Sequence, residues 1–66
     1  MKTKYHCYTE DNKYIFENGF VMKRENGKTP NGNELNGRWV LRDENGDFID
    51  FDQYRHDLAD RHNLYI

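Results

Sequence analysis

An α+β fold is predicted for this 66-residue chain: a small antiparallel β-meander of about five strands, curled or barrel-like, with one C-terminal α-helix. Three features predict it. All five glycines follow asparagine, at Asn18, Asn26, Asn31, Asn36 and Asn45. Short alternating runs rich in aromatic and β-branched residues flank two of these pairs, and the last third switches to apolar residues at helical spacing. Asn-Gly between strand-like runs is a strong hairpin signal, because a type I′ turn needs positive φ at both central residues.

Strands are expected at 4–9, 13–17, 20–24, 38–42 and 47–50, the first ending in a turn at 10–12. Pairing around Asn18-Gly19 then puts Tyr14, Phe16 and Val21 on one face and Ile15, Phe20 and Met22 on the other. Around Asn45-Gly46, Trp39, Leu41 and Phe48 share a face, with Val40, Ile49 and Phe51 opposite. Both faces are apolar, yet one three-turn helix covers only one. Closure of the sheet, self-association as a homodimer, or an aromatic patch for a partner each satisfies the surplus.

The helix is expected at 51–62. Asp50 suits its N-cap, with Gln53 completing a capping box and Ile49 and Tyr54 a hydrophobic staple. Phe51, Tyr54, Leu58, His62 and Tyr65 form its apolar stripe, Asp57 and Arg61 an ion pair four apart, and Asn63 its terminator. The remaining segment, 25–36, holds two Asn-Gly pairs and the asparagine of a third, the only proline and a single apolar residue, Leu35. It is expected to be a mobile loop and is the best candidate for a binding loop.

The chain is expected to be one domain with a core near the lower size limit and a net stability of about 3–5 kcal/mol. One cysteine, Cys7, precludes an internal disulfide. No run approaches the ~20 apolar residues of a membrane span, and Met1 begins no apolar leader. A cytoplasmic address, in a bacterial or infected host cell, is the expectation, with no membrane partner. The net charge of −2 is unevenly spread: residues 1–42 hold eight Lys/Arg against five Asp/Glu, and residues 43–66 hold two against seven. Such polarity favours oriented docking on a charged partner.

Catalytic sets are missing. The chain has no serine, and strand neighbours His6 and Cys7 point to opposite faces, so His6 cannot activate the thiol. Cys7 reads as a small core residue. His56 and Asp60 have metal-compatible helical spacing, but no third ligand is placed by sequence. The acidic run at 43–47 begins like a calcium loop and then fails, with Tyr54 where the bidentate glutamate belongs. No phosphate-binding or dinucleotide motif is present, and no cofactor, metal or enzymatic activity is expected.

The leading functional expectation is a non-catalytic protein-binding module, an inhibitor or modulator of a host protein of the phage or mobile-element type. Its binding residues are expected among Tyr5, Tyr8 and Tyr14 on the sheet and Arg55, His56 and Asp60 on the helix, since tyrosine and arginine dominate interface hot spots. Two alternatives stand beside it: single-stranded nucleic-acid binding through the basic, tyrosine-rich sheet, and an acidic DNA mimic built on the C-terminal third.

Overall fold

The alternating runs pair as the predicted meander. The computed structural model describes residues 3–8 and 12–66, with the backbone alone for 6–8. Among these, β1 (Thr3–Tyr8), β2 (Tyr14–Phe16), β3 (Val21–Glu25), β4 (Arg38–Arg42), β5 (Phe48–Asp52) and β6 (Leu64–Tyr65) form one sheet ordered β5-β4-β3-β2-β1-β6. The first five are antiparallel neighbours. The sixth, which sequence reasoning missed, runs parallel to β1, with Leu64 opposite Thr3.

Helix α1 (Arg55–Arg61) carries the chain from β5 at one sheet edge to β6 at the other and packs on β4, β5 and β6. Contact with both edges requires a curled sheet, and the result is a half-barrel around the helix. Leu58 and Ala59 enter its concave side against Phe16, Met22, Leu41 and Leu64, all essentially inaccessible to solvent. Each large side chain in this cluster contributes about 1.5–3 kcal/mol by leaving water.

The helix starts four residues later than expected. Asp52 and Phe51 remain in β5, opposite Trp39 and Val40, so strand pairing overrides the capping box. Tyr54, at the N-cap, makes no side-chain cap bond and is 62% exposed, so the staple does not form either. The turn out of the strand is made by Asp52, whose Oδ1 accepts the Tyr54 amide at 2.9 Å. Asn63 does terminate the helix, at φ 56°, and its carbonyl accepts the Thr3 amide that starts β1.

Turn chemistry explains a second correction. At Asn18-Gly19 and Asn45-Gly46 only the glycine has positive φ. The loops have three residues: Phe16 and Phe20 close the first, Asp43 and Asp47 the second, each with a bond from the glycine amide back to the first of these residues. These are the three-residue hairpins that end in a left-handed residue, not two-residue type I′ turns. Thr29 and Asn33 close a third loop of the same kind around Pro30-Asn31-Gly32. Only Asn36-Gly37, at φ 50° and 81°, is positive at both positions, and the Arg38 amide donates back to Leu35 across it.

One extra loop residue shifts a register by one and exchanges the faces of a strand. Tyr14 therefore lies opposite Met22 and Ile15 opposite Val21. Tyr14, Phe16 and Met22 share the concave face, where Phe20 also packs, and Val21 joins Ile15 on the convex one. On β5, an irregularity opposite Leu41 and Arg42 places Phe48 on the convex face with Val40 and Phe51, while Ile49 packs against the core. On the surplus face Val40 is fully buried, and Phe48 and Phe51 are half-buried with rings 6.2 Å apart. Glu25 and Arg42 flank the Lys23–Val40 row on this face and meet across it in a two-bond pair, 2.8 and 2.9 Å.

Segment 25–36, expected as a mobile loop, is a small hairpin. Lys28 bridges Glu34, Gly27 accepts the Leu35 amide, and Thr29 and Leu35 are buried. Of the turn expected at 10–12, only Asn12 is described, at φ 61°. Thr9 and the side chains of His6, Cys7 and Tyr8 lie outside the described residues.

The turns at Glu17-Asn18-Gly19 and Glu44-Asn45-Gly46 abut. A Cβ on Gly19 would lie 2.9 Å from the Glu44 Cβ, whereas one on Gly46 would meet nothing within 4 Å. Both glycines have left-handed φ, 91° and 86°. Gly46→Ala is expected to cost about 1–2 kcal/mol from backbone strain alone, and Gly19→Ala about 1 kcal/mol more, from the clash. Urea unfolding of the two variants measures the difference; equal losses would mean that the turns do not press on each other.

Candidate functional site

Three groupings of chemically useful side chains emerge. The first is an aromatic row on the concave face. Tyr5 on β1 meets Tyr14 on β2 edge to face, with centroids 5.1 Å apart at 82°, and Tyr14 meets Trp39 on β4 at 5.9 Å and 53°. Tyr14 and Trp39 are half-buried against the core, while Tyr5 is 40% exposed, so the row runs from the interior to solvent. Edge-to-face and tilted ring pairs of this kind are favourable beyond their buried area.

Arg24, directly opposite Trp39 on β3, leads to the second grouping. Arg24, Asn36, Gly37, Arg38 and Gln53 line a cleft of about 210 Å³ at the end of β3 and β4. Backbone carbonyls hold both guanidinium groups. Arg24 Nε donates to the Gly37 carbonyl at 2.9 Å, and Arg38 Nη1 donates to those of Glu34 and Leu35 at 3.1 and 3.2 Å. Neither meets a carboxylate among the described residues, in contrast to Arg42 and Arg61.

The third grouping ties the helix to β5. Arg61 reaches Asp50 through Nη2 at 2.9 Å and Asp52 through Nη1 at 2.5 Å, and also donates to the Phe51 carbonyl. Its expected partner, Asp57, is replaced by these two strand acids. His62 Nε2 shares Asp50 Oδ2 at 2.9 Å, and Asp50 Oδ1 accepts the Phe51 amide. Burial works against ionisation of Asp50, but the bonds from His62, Phe51 and Arg61 outweigh it and hold its pKa below the usual range. The Tyr54 amide and Arg61 lower Asp52 likewise. On the convex face, the hydrogen-bonded Arg42 lowers Glu25, whose carboxylate in turn raises Arg42.

Of the residues singled out from sequence, Tyr5 and Tyr14 come together. Tyr8 is opposite Tyr14 in the strand register, but its side chain lies outside the described residues. Arg55, His56 and Asp60 are on the exposed side of α1. Among the described residues no three His, Cys, Asp or Glu side chains cluster as metal ligands, and no helix is long and apolar enough to cross a membrane. Trp39 and the Arg24–Arg38 pair were missed as site residues. A register one residue different would have revealed Trp39 beside Tyr14, while the arginine pair depends on how the 25–36 hairpin folds. Comparison with known families, curated proteins and solved structures finds no match to the chain.

Proposed function

We propose that this protein is a small non-catalytic protein-binding module that modulates its partner, and that it docks through the Tyr5–Tyr14–Trp39 end of the concave face. The observation supporting this reading is the ring row itself: three aromatic side chains, fixed by one another, emerge from the core beside Arg24. Rigid aromatics supply contact area at little entropic cost, and with arginine they are the residues enriched at interface hot spots. Arg55, His56 and Asp60, exposed on α1, are assigned to the same module as polar contacts. The overall acidity of the chain, at −2, favours a protein over a nucleic-acid backbone as partner.

The test is affinity purification from the source cell with wild-type protein and Tyr5→Ala. Tyr5 is exposed enough for removal to leave the fold intact, which circular dichroism checks. One dominant partner whose binding weakens about tenfold or more in Tyr5→Ala is expected. Background proteins alone, or a partner held equally by the variant, would overturn the reading. Salt-sensitive retention of a labelled single-stranded oligonucleotide would favour the nucleic-acid alternative instead.

A further inference from the structure

Resting on that reading, we infer that the Arg24–Arg38 cleft is a carboxylate-binding site that receives an acidic side chain of the protein partner. Charge complementarity argues for it. Arg61 is bonded to Asp50 and Asp52, and Arg42 to Glu25, but Arg24 and Arg38 have only carbonyl partners among the described residues. Those carbonyl bonds occupy one nitrogen of each guanidinium and leave others to donate. A guanidinium presents several N–H groups in a planar fork that matches a carboxylate. Holding the fork in place beforehand reduces the ordering cost of binding.

The cleft walls fit the same ligand. Asn36, Gly37 and Gln53 add neutral polar groups, and among the described residues no acid lines the cleft to repel an anion. At φ 50° and 81°, the Asn36-Gly37 turn places the Gly37 carbonyl where Arg24 is anchored. Trp39, the last ring of the aromatic row, sits opposite Arg24, so one peptide segment can place an apolar residue on the rings and an acidic one in the cleft. Carboxylate is preferred to phosphodiester because the acidic stretch at 43–66, seven acids against two arginines, repels an extended polyanion. A short acidic segment does not have to run along it.

The experiment is an NMR titration of the full ¹⁵N-labelled chain with a short end-blocked peptide carrying one glutamate and one leucine, with hexathymidylate in parallel. Saturable shifts are expected at the Nε–H signals of Arg24 and Arg38, the Gly37 amide and the Gln53 side-chain amide. Arg24→Gln and Arg38→Gln should each weaken the peptide about tenfold, equivalent to ~1.4 kcal/mol. Because these arginines also anchor the turn, Arg24→Lys and Arg38→Lys serve as second variants; retained charge without the fork should still cost severalfold in affinity. No shifts in the cleft, undiminished affinity in all four variants, or tighter binding of hexathymidylate there would overturn the assignment. If the cleft fails while Tyr5→Ala still releases the partner, only this inference falls and the aromatic docking surface stands.

Discussion

Phe16→Ala is expected to unfold the protein at room temperature. Phe16 is completely buried at the centre of the cluster formed with Met22, Leu41, Leu58, Ala59 and Leu64. Truncating a core phenylalanine costs about 3–5 kcal/mol, from lost transfer energy and the cavity left behind. A 66-residue chain with a single cysteine, and so no internal disulfide, has a total stability of only about 3–5 kcal/mol, so the loss consumes nearly all of it. The position also cannot relax easily, because the Phe16 amide and carbonyl close the first hairpin with Phe20 and Gly19. Far-UV circular dichroism and amide dispersion report the outcome. Tyr54→Ala, at a 62% exposed position, is the control and should change stability by less than about 0.5 kcal/mol. A cooperative melt of Phe16→Ala close to that of the control would show that the core lies elsewhere.

Asp50→Ala is the second large effect, and its size depends on pH. The carboxylate accepts bonds from Arg61, His62 and the Phe51 amide, joining β5 to the end of α1 and the entry to β6. Loss of this shared acceptor is expected to cost about 1.5–3 kcal/mol at pH 7, in the range for bonds involving a charged group. Arg61 keeps Asp52 and the Phe51 carbonyl, which limits the damage. The exposed Asp57, removed in the same way, should cost close to nothing.

The folded pKa of Asp50 lies below its unfolded value of about 4. Its contribution is therefore complete above pH ~4 and is lost as pH falls through the folded value. Asp52 and Glu25 are lowered too and add to the same acid-side loss. The gap between wild type and Asp50→Ala should narrow steadily below pH ~4 in urea unfolding. A gap of constant size down to pH 2 would show that the carboxylate's charge contributes nothing.

Strand positions were legible because they follow from local chemistry. The run 38–42 is three apolar strand-formers between arginines, bounded by turn residues, and it became β4 with the same limits. Asn63 is another local success, since a short polar side chain tolerates the left-handed conformation that ends a helix. The helix start was misread at Asp50 for a physical reason: capping motifs state what a segment prefers alone, and β4 offered Phe51 and Asp52 a ladder of bonds instead. Half of the candidate site shared that fate. Tyr5 and Tyr14 are recognisable as strand aromatics, but their contact, and the inclusion of Trp39, depends on a register set by loop length.

The sequence by itself determined the class of fold, the order of the meander strands, the presence of a C-terminal helix and the places where the chain turns. These rest on alternation, turn residues and spacing, all of which act over a few residues. Tertiary structure alone decided which face each side chain occupies, how the sheet curls onto α1, and that 25–36 folds into a hairpin. It also decided which arginines are neutralised. Arg42 and Arg61 find acids on neighbouring elements, whereas Arg24 and Arg38 find only carbonyls among the described residues. The reason is one of distance: an ion pair between residues 17 or 11 apart exists only after strands and helix have been brought together.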